Sequence, residues 1–474
     1  MKVVIANPPW PVENGYGCRT NSRWPHIRKD KHLAFPIYLA YSAAILEKNN
    51  IEVKVIDAVA DELDNRSYVK AVEKQNPDIC FIETSTPTIN IDLESTKLLK
   101  ENLDTRVFMM GAHATVFHRE ILQKNTFIDG IIRGEFEFTI RDIAIGRPLR
   151  EIRGLTFRKN KEIIINPERP YEKNLDSLPF PAWHQFTLKY YDSFLNESPS
   201  MMMISSRGCP FQCTYCLWPD LMYGHIQRRR SPGNVCDEIG VLIERYGIRE
   251  IKFDDDTFAL NKKWVMDVCR EIINRGYHRE IVWNCFGHVS QGDPEMYRMM
   301  AKAGCKMISY GIESGSQKIL DIMRKNIDMK KAKETISNAK KAGIDVYCDY
   351  MIGFPEETEE DIEKSIESAL YLDPDFIQVS YTIPYPGTRM YKDALQKGIL
   401  LYPNEWEKYC SCGPMIKNYV TPERMMYLYK KFWKRFYMRP RYMIKTAVRM
   451  MKSTQEFRRG AKGFVSFYKR FLRN

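Results

Sequence analysis

No stretch of eighteen apolar residues occurs in this 474-residue chain, so no membrane-spanning helix is expected. The opening MKVVIANPPW lacks the basic-then-apolar run of a secretory signal. Twelve cysteines are present, but most are scattered (Cys18, Cys80, Cys236, Cys269, Cys285, Cys305, Cys348) and do not form the dense framework of a small secreted scaffold. A reducing cytoplasm is the compartment these absences predict. Internal repeats and low-complexity tracts are also lacking, which leaves ordinary globular domains.

The length is too great for one ordinary core, so two or three domains are expected. With 44% hydrophobic and 12% aromatic residues, the chain can fill them. Charge is spread unevenly. From Thr421 to Asn474 there are 16 Lys and Arg against 2 Asp and Glu, a net +14; the whole chain is +12, so the preceding 420 residues sum to about −2.

Residues 1–145 alternate Val- and Ile-rich runs (KVVIAN, EVKVIDA, DICFIETS, RVFMMGA) with amphipathic helical stretches. This predicts a parallel sheet covered on both faces, with ligands at the carboxyl ends of its strands. Residues 146–198 read as a linker with a hairpin, because GLTFRKNKEIIINPERPYE is strand-like and Pro179 and Pro181 block helix. A second βα series occupies 199–400, and its six units predict an open or partial barrel with its site at the carboxyl ends of the strands. Residues 401–474 read as a basic, aromatic helical segment.

One short stretch, RGCPFQCTYCLWP (207–219), holds Cys209, Cys213 and Cys216 in the first βα loop of the second series. Thiolates so spaced can converge on one inorganic centre, and soft thiolates favour zinc, copper(I) or iron–sulfur. Zinc would call on His225 or Cys236 as a fourth ligand. Three ligands on a four-iron cluster leave one iron open. A disulfide does not suit a reducing compartment.

The Cys-x3-Cys-x2-Cys pattern, with Tyr215 before its last cysteine, resembles the signature of the radical S-adenosylmethionine (SAM) superfamily. The resemblance implies a [4Fe–4S] cluster on Cys209, Cys213 and Cys216, with SAM on the open iron. Later motifs follow in order over 199–400. FDDDTF places Asp254, Asp255 and Asp256 where the family meets the methionine amino group. YGIESGS, with Glu313 and Ser314, resembles the segment that contacts the ribose and carboxylate. MIGFPEET, with Gly353 and Glu356, resembles the element beside the adenine. Ordinary helix capping and turn formation would use several of these residues equally well.

The N-terminal loops carry NPPW, ETSTPT, GAHAT and RGEFEF. Gly111 and Gly134 permit close backbone approach, and Thr84, Ser85 and Thr86 offer hydroxyls. A nucleotide-like ligand fits this chemistry, and so does a set of plain turns. The order Asn7-Pro8-Pro9, Gly111-x-His113 and Gly134-Glu135-x-Glu137 resembles the Rossmann-like, flavodoxin-like cobalamin-binding domain found before radical SAM barrels. The anaerobic magnesium-protoporphyrin ester cyclases and hopanoid-tailoring enzymes are of this kind. No Asp-x-His-x-x-Gly occurs, so no histidine ligand to cobalt from that motif is expected. His113 lies either beside the corrin or in a hydrogen-bonded loop.

In the tail, Phe464, Phe467, Tyr468, Phe471 and Leu472 recur at helical spacing, with Arg458, Arg459, Lys462, Lys469, Arg470 and Arg473 on the other face. Packing on the barrel and peripheral contact with a membrane both suit this pattern; RNA suits it less. Cys410 and Cys412 are too few for a second centre. The resemblance implies reductive cleavage of SAM to a 5′-deoxyadenosyl radical, an electron donor such as ferredoxin or flavodoxin, and C-methylation of an unactivated carbon. The alternative is a cyclase or rearrangement enzyme on a lipid-like or tetrapyrrole-like substrate, which CLWP and RRRSP favour by resemblance to the hopanoid-tailoring subgroup. Binding without turnover, as in a sensor, is disfavoured by the intact cysteine loop.

Overall fold

The computed structural model describes residues 1–13, 15–19, 25–28, 31, 33–191, 199–410 and 413–451, with 457, 460, 461, 463 and 465 from the tail. The five tail hydrophobics and six cations singled out above, and Cys412, lie outside the described residues.

The N-terminal sheet has seven strands: β1 (Lys2–Asn7), β2 (Glu52–Asp57), β3 (Ile79–Glu83), β4 (Arg106–Met110), β5 (Gly130–Ile132), β6 (Leu155–Lys159) and β7 (Glu162–Ile165). Their order is β2-β1-β3-β4-β5-β6-β7. The first five are parallel, in the flavodoxin-like arrangement whose topological switch point lies between β1 and β3. The β6–β7 hairpin falls in the expected linker but extends this sheet antiparallel, because Leu155, Thr156 and Phe157 bury themselves against the edge of β5. Alternation along β1 sends Val3 and Ile5 to one core and Val4 and Ala6 to another. The helix α1 (Ile37–Lys48) is buried over ten of its residues and lies on the face that turns to the second domain.

Six further parallel strands follow in unbroken order: β8 (Ser200–Met203), β9 (Glu250–Phe253), β10 (Val282–Gly287), β11 (Cys305–Glu313), β12 (Asp345–Ile352) and β13 (Phe376–Tyr381). The sheet is an open barrel. On β12, Val346, Cys348, Tyr350 and Ile352 are buried under the outer helices, while Tyr347, Asp349 and Met351 turn half-buried to the lumen. One continuous core runs from Val3 and Ile5 through Met203 and Ile251 to Phe432, so both domains share it.

The first tail helix packs on the barrel. The helix α3 (Pro422–Tyr437) starts with Thr421 as N-cap and Pro422 in its first turn. It buries Met425, Leu428, Tyr429, Phe432 and Phe436. Its Arg424, Lys431 and Arg435 pair with Glu359, Glu363 and Glu367 along α2 (Glu359–Leu372).

Candidate cofactor-binding crevice between the domains

The cysteine loop leaves β8 through Ser205 and Ser206, and two of the three FDDDTF carboxylates hold it. Asp255, fully buried, accepts from the Ser205 amide at 2.8 Å and from both serine hydroxyls at 2.6 Å. Burial pushes its carboxyl up to about 6 against those hydrogen bonds. Asp256 accepts from the Gly208 amide at 2.7 Å, while Asp254 pairs with Lys252 at 3.3 Å. Gly208 is a required glycine, since its φ is +89° and a Cβ would lie 2.3 Å from the Ile226 carbonyl oxygen.

Cys209, Cys213 and Cys216 are half-buried, whereas the other eight described cysteines are buried, and none of the eleven is in a disulfide. Burial pushes the Cys209 thiol up to about 11, so thiolate character here would come with metal coordination. Among the described residues no three His, Cys, Asp or Glu side chains converge on a single-ion site. The zinc reading also loses its fourth ligands. His225 bonds Asp220 and the Phe211 carbonyl, and Cys236 is buried in a helix. Three thiols around an open loop instead fit a polynuclear cluster, in which each meets a different iron.

The Tyr215 hydroxyl donates to Glu313 at 3.0 Å, and the Lys325 ammonium lies 3.0 Å from Glu313 and 3.1 Å from Tyr215. Glu313 adopts φ +68°, and its carboxylate folds back over Gly311, where a Cβ would sit 2.1 Å from Oε1. Sequence reasoning missed Lys325. It follows a short helix that ends on left-handed Arg324, and nothing local marks it. Ser314 is fully buried and bonded to Ser365 and the Ser316 amide, which is structural work. Gly353 adopts φ +87° and donates its amide to Glu357 at 2.5 Å. Glu357 is the carboxylate that turns inward, and burial pushes it up to about 8. Glu356 turns outward to Lys397 at 3.0 Å. Asp349, also missed, faces the lumen and is pushed up to about 8 by burial and by Glu313.

In the N-terminal loops most of the expected polar groups are committed to one another. Asn7 donates to Asp57 at 2.7 Å, and the Pro8 carbonyl accepts from Arg19. Arg19 is buried in a 2.6 Å pair with Asp92, which also accepts from the Thr84 and Thr88 hydroxyls. Ser85 bonds Thr88 at 2.9 Å. Gly111, at φ +111°, lets its loop reach the Thr84 carbonyl, only 2.3 Å from where a Cβ would be. His113, in the short helix Ala112–Val116, is buried 3.3 Å from the Thr86 hydroxyl and packed on Phe117 and Trp406. Burial lowers it to about 3, so it is neutral.

Gly134 donates its amide to Thr115 at 3.1 Å, and the next residue ties the two domains together. Glu135 pairs with Arg207 and Arg228, and Glu137 pairs with Arg207 at 2.6 Å. Arg207, 1% exposed and two residues before Cys209, also faces the rings of Tyr38, Tyr41 and Tyr223 at 5.0–5.9 Å. The thiol loop is thereby clamped to the N-terminal sheet.

Beyond the β1/β3 switch point lies a crevice of about 460 Å³, counting its open mouth. Thr84, Ser85 and Gly111 form one wall, and Trp218, Met222 and Tyr385 from the barrel form the other. The buried Trp218 Nε1 has no partner among the described residues. The crevice's lining of backbone, hydroxyls and aromatic rings with a spare donor suits an amide-bearing ligand, but the enclosed space is only about 30 Å³, so a macrocycle would have to part these walls to enter. A larger hollow of about 700 Å³ at the edge strand β2, lined by Lys54, Asp57 and Tyr191, carries neither the thiols nor the switch-point loops.

Residues 203–369 match the radical SAM superfamily, and residues 26–144 match the B12 binding domain. An uncharacterised methyltransferase of Pyrococcus horikoshii is 33% identical over 417 residues, spanning 86% of this chain and 89% of its own. The anaerobic magnesium-protoporphyrin IX monomethyl ester cyclase of Cereibacter sphaeroides is 26% identical over 458 residues, spanning 93% and 71%. The cobalamin-dependent S-adenosylmethionine radical enzyme OxsB, solved with aqua-cobalamin and S-adenosylmethionine bound, shares the fold with a TM-score of 0.74 at 13% identity, over 96% of this chain and 71% of that one. The chain belongs to the radical SAM superfamily, in the group whose barrel follows a B12-binding domain.

Proposed function

We propose that this enzyme is a radical C-methyltransferase acting on an unactivated carbon of a small-molecule substrate. The observation that carries the reading is the position of Trp218. Two residues beyond Cys216, it forms the barrel wall of the crevice at the switch point, so the two cofactor sites abut. With a [4Fe–4S] cluster, SAM and cobalamin bound, the chemistry supplied is reductive SAM cleavage, hydrogen abstraction from the substrate and delivery of a methyl group. Cys209, Cys213 and Cys216 would hold the cluster and leave one iron for the methionine end of SAM. The Lys325 ammonium, steadied by Glu313 and Tyr215, is placed to meet an anionic carboxylate. Leu217, Trp218, Met222 and Tyr385 keep water from the crevice.

Methyl transfer is favoured over cyclisation because the methyltransferase relative is the more similar, at 33% identity against 26%. The RRRSP run does not speak for the alternative, since Arg228 is committed to Glu135 and Arg230 to Glu238. The apolar part of the crevice supports a lipid-like substrate. An electron donor of the ferredoxin or flavodoxin type would reduce the cluster. No helix among the described residues is long and apolar enough to cross a membrane; on this reading the enzyme works in the cytoplasm, peripheral to a membrane.

The test is an anaerobic incubation of reconstituted protein with cobalamin, reductant, a lipid extract and SAM labelled with a trideuteromethyl group. A labelled methyl in an extracted compound supports methyl transfer. A substrate consumed with no label gained supports cyclisation or rearrangement.

A further inference from the structure

Beyond the last barrel strand the chain forms a strap that crosses to the N-terminal domain. Its ends are pinned together: the Leu401 amide donates to the Met415 carbonyl at 3.0 Å, and Leu400 bridges Ile416. Ends this close make residues 402–414 an Ω-type loop. Pro403, Asn404, Glu405, Glu407 and Lys408 are exposed, but Trp406 among them turns inward. Its ring stands 5.1 Å from His113 and 5.3 Å from Phe117, both of the N-terminal domain, and 5.4 Å from Tyr409. Trp406 thereby packs against the core that both domains share and against the outer core of the N-terminal sheet.

The strap adjoins the crevice at two points. Trp406 backs onto His113, which lies 3.3 Å from Thr86 and next to Ala112, and Thr86 and Ala112 line the crevice. Tyr385, on the barrel wall of the crevice, donates its hydroxyl to the Tyr409 carbonyl at 3.3 Å. Among the described residues, that is the one hydrogen bond residues 402–409 make outside the strap. The rest of the attachment is apolar. The other boundaries are tied by buried ion pairs, Arg19 with Asp92 behind Thr84 and Arg207 with Glu137 beside the thiol loop. The enclosed space of about 30 Å³ is far below the roughly 300–1,000 Å³ of a ligand pocket, so one boundary has to move. The strap, held by rings rather than by buried charge, is the boundary that opens at least cost.

We propose that the strap is the gate of the crevice: it is latched by Trp406, lifts to admit the corrin ring of cobalamin, and closes again behind it. The proposal rests on the preceding reading only for the crevice as the cobalamin site. Lifting frees Tyr385 and uncovers the loops that carry Thr86 and Ala112, so both walls part together. A latch that closes alike over the free and the loaded crevice raises the barrier in both directions and leaves the affinity where it was.

The experiment mixes the cluster-reconstituted full chain with hydroxocobalamin in a stopped-flow instrument and follows the corrin absorbance. Release is read by exchange against radiolabelled cobalamin, and affinity by equilibrium dialysis. Trp406→Ala should bind and release cobalamin roughly tenfold faster, as expected for the loss of two ring pairs, at unchanged affinity. Trp406→Phe should fall between it and the wild type, and it carries the test if the alanine variant melts early. Trypsin should cut after Lys408 faster in Trp406→Ala, which reads the opening directly. Faster release with weaker affinity and an unchanged binding rate would make Trp406 a contact of the ligand and overturn the gate. Unchanged rates would overturn it too: with faster cleavage they mean that the ligand enters elsewhere, and without it that Trp406 is no latch. A wild-type chain that takes up no cobalamin would sink the cofactor reading itself, and the gate with it.

Discussion

Lys325 keeps its proton where burial alone would strip it, because Glu313 lies 3.0 Å away and holds it above the ordinary lysine range. Lys325→Met would leave the buried Glu313 uncompensated, and SAM affinity should fall about tenfold or more while cluster iron stays bound. Lys325→Arg should restore part of the loss, and equilibrium dialysis with SAM reads both. An unchanged affinity would remove Lys325 from the SAM site. Substitution of Cys209, Cys213 or Cys216 by Ala should abolish cluster iron and 5′-deoxyadenosine formation together; full activity in any of the three contradicts the cluster assignment.

His113 titrates near 3 in the fold and near 6.5 when unfolded, so the unfolded chain gains its proton first as pH falls. Its contribution is complete above pH 6.5 and shrinks below, by about 2 kcal/mol at pH 5. His113→Gln should narrow the difference in melting temperature between pH 7.5 and pH 5, and equal narrowing at a distant buried group would refute the assignment. The three cysteines were legible because their spacing is local. Lys325 was not, because its partner Tyr215 is 110 positions away.

At the scale of elements, the clamp from Arg207 to Glu135 and Glu137 decides how the thiol loop meets the N-terminal sheet. Removing the cation leaves the buried Glu137 without its partner, while Glu135 keeps Arg228, so Arg207→Met should cost about 3–5 kcal/mol in denaturant unfolding. Adding Glu137→Gln should recover much of that loss, because the uncompensated charge is then gone. If the single variant unfolds like the wild type, the clamp is not a fixed joint. The strands were legible because Val- and Ile-rich runs recur between helices, whereas the order 2-1-3-4-5 is visible only in the fold. It hid the clamp, since Arg207 and Glu135 stand 72 positions apart and each reads locally as surface charge. For the same reason RGEFEF suggested a ligand loop, although Glu135 and Glu137 serve the joint between the domains. The β6–β7 hairpin was visible, but its docking on β5 was not, because a hairpin's partner is not encoded in its own alternation.

Over the whole molecule, one core passes from the N-terminal sheet into the barrel, so the two halves form one continuous body around the crevice. The uneven charge finds its structural counterpart at the far end. Five of the sixteen cations from Thr421 onward are spent on carboxylates of α2 and the barrel rim, through Arg424, Lys431, Arg435, Lys445 and Arg449. Composition made the charge split plain, but only the fold separates the packed helix α3 from α4 (Pro440–Met450), none of whose residues is buried.

The central claim is that reductive cleavage of one SAM is coupled to demethylation of a second at the abutting sites. The measurement that tests it most directly is the ratio of 5′-deoxyadenosine to S-adenosylhomocysteine, by mass spectrometry, as substrate is added to the anaerobic holoenzyme. The account predicts that both products rise together, one for one, as substrate increases. A rise in 5′-deoxyadenosine with no S-adenosylhomocysteine would contradict it and leave cyclisation or rearrangement in its place.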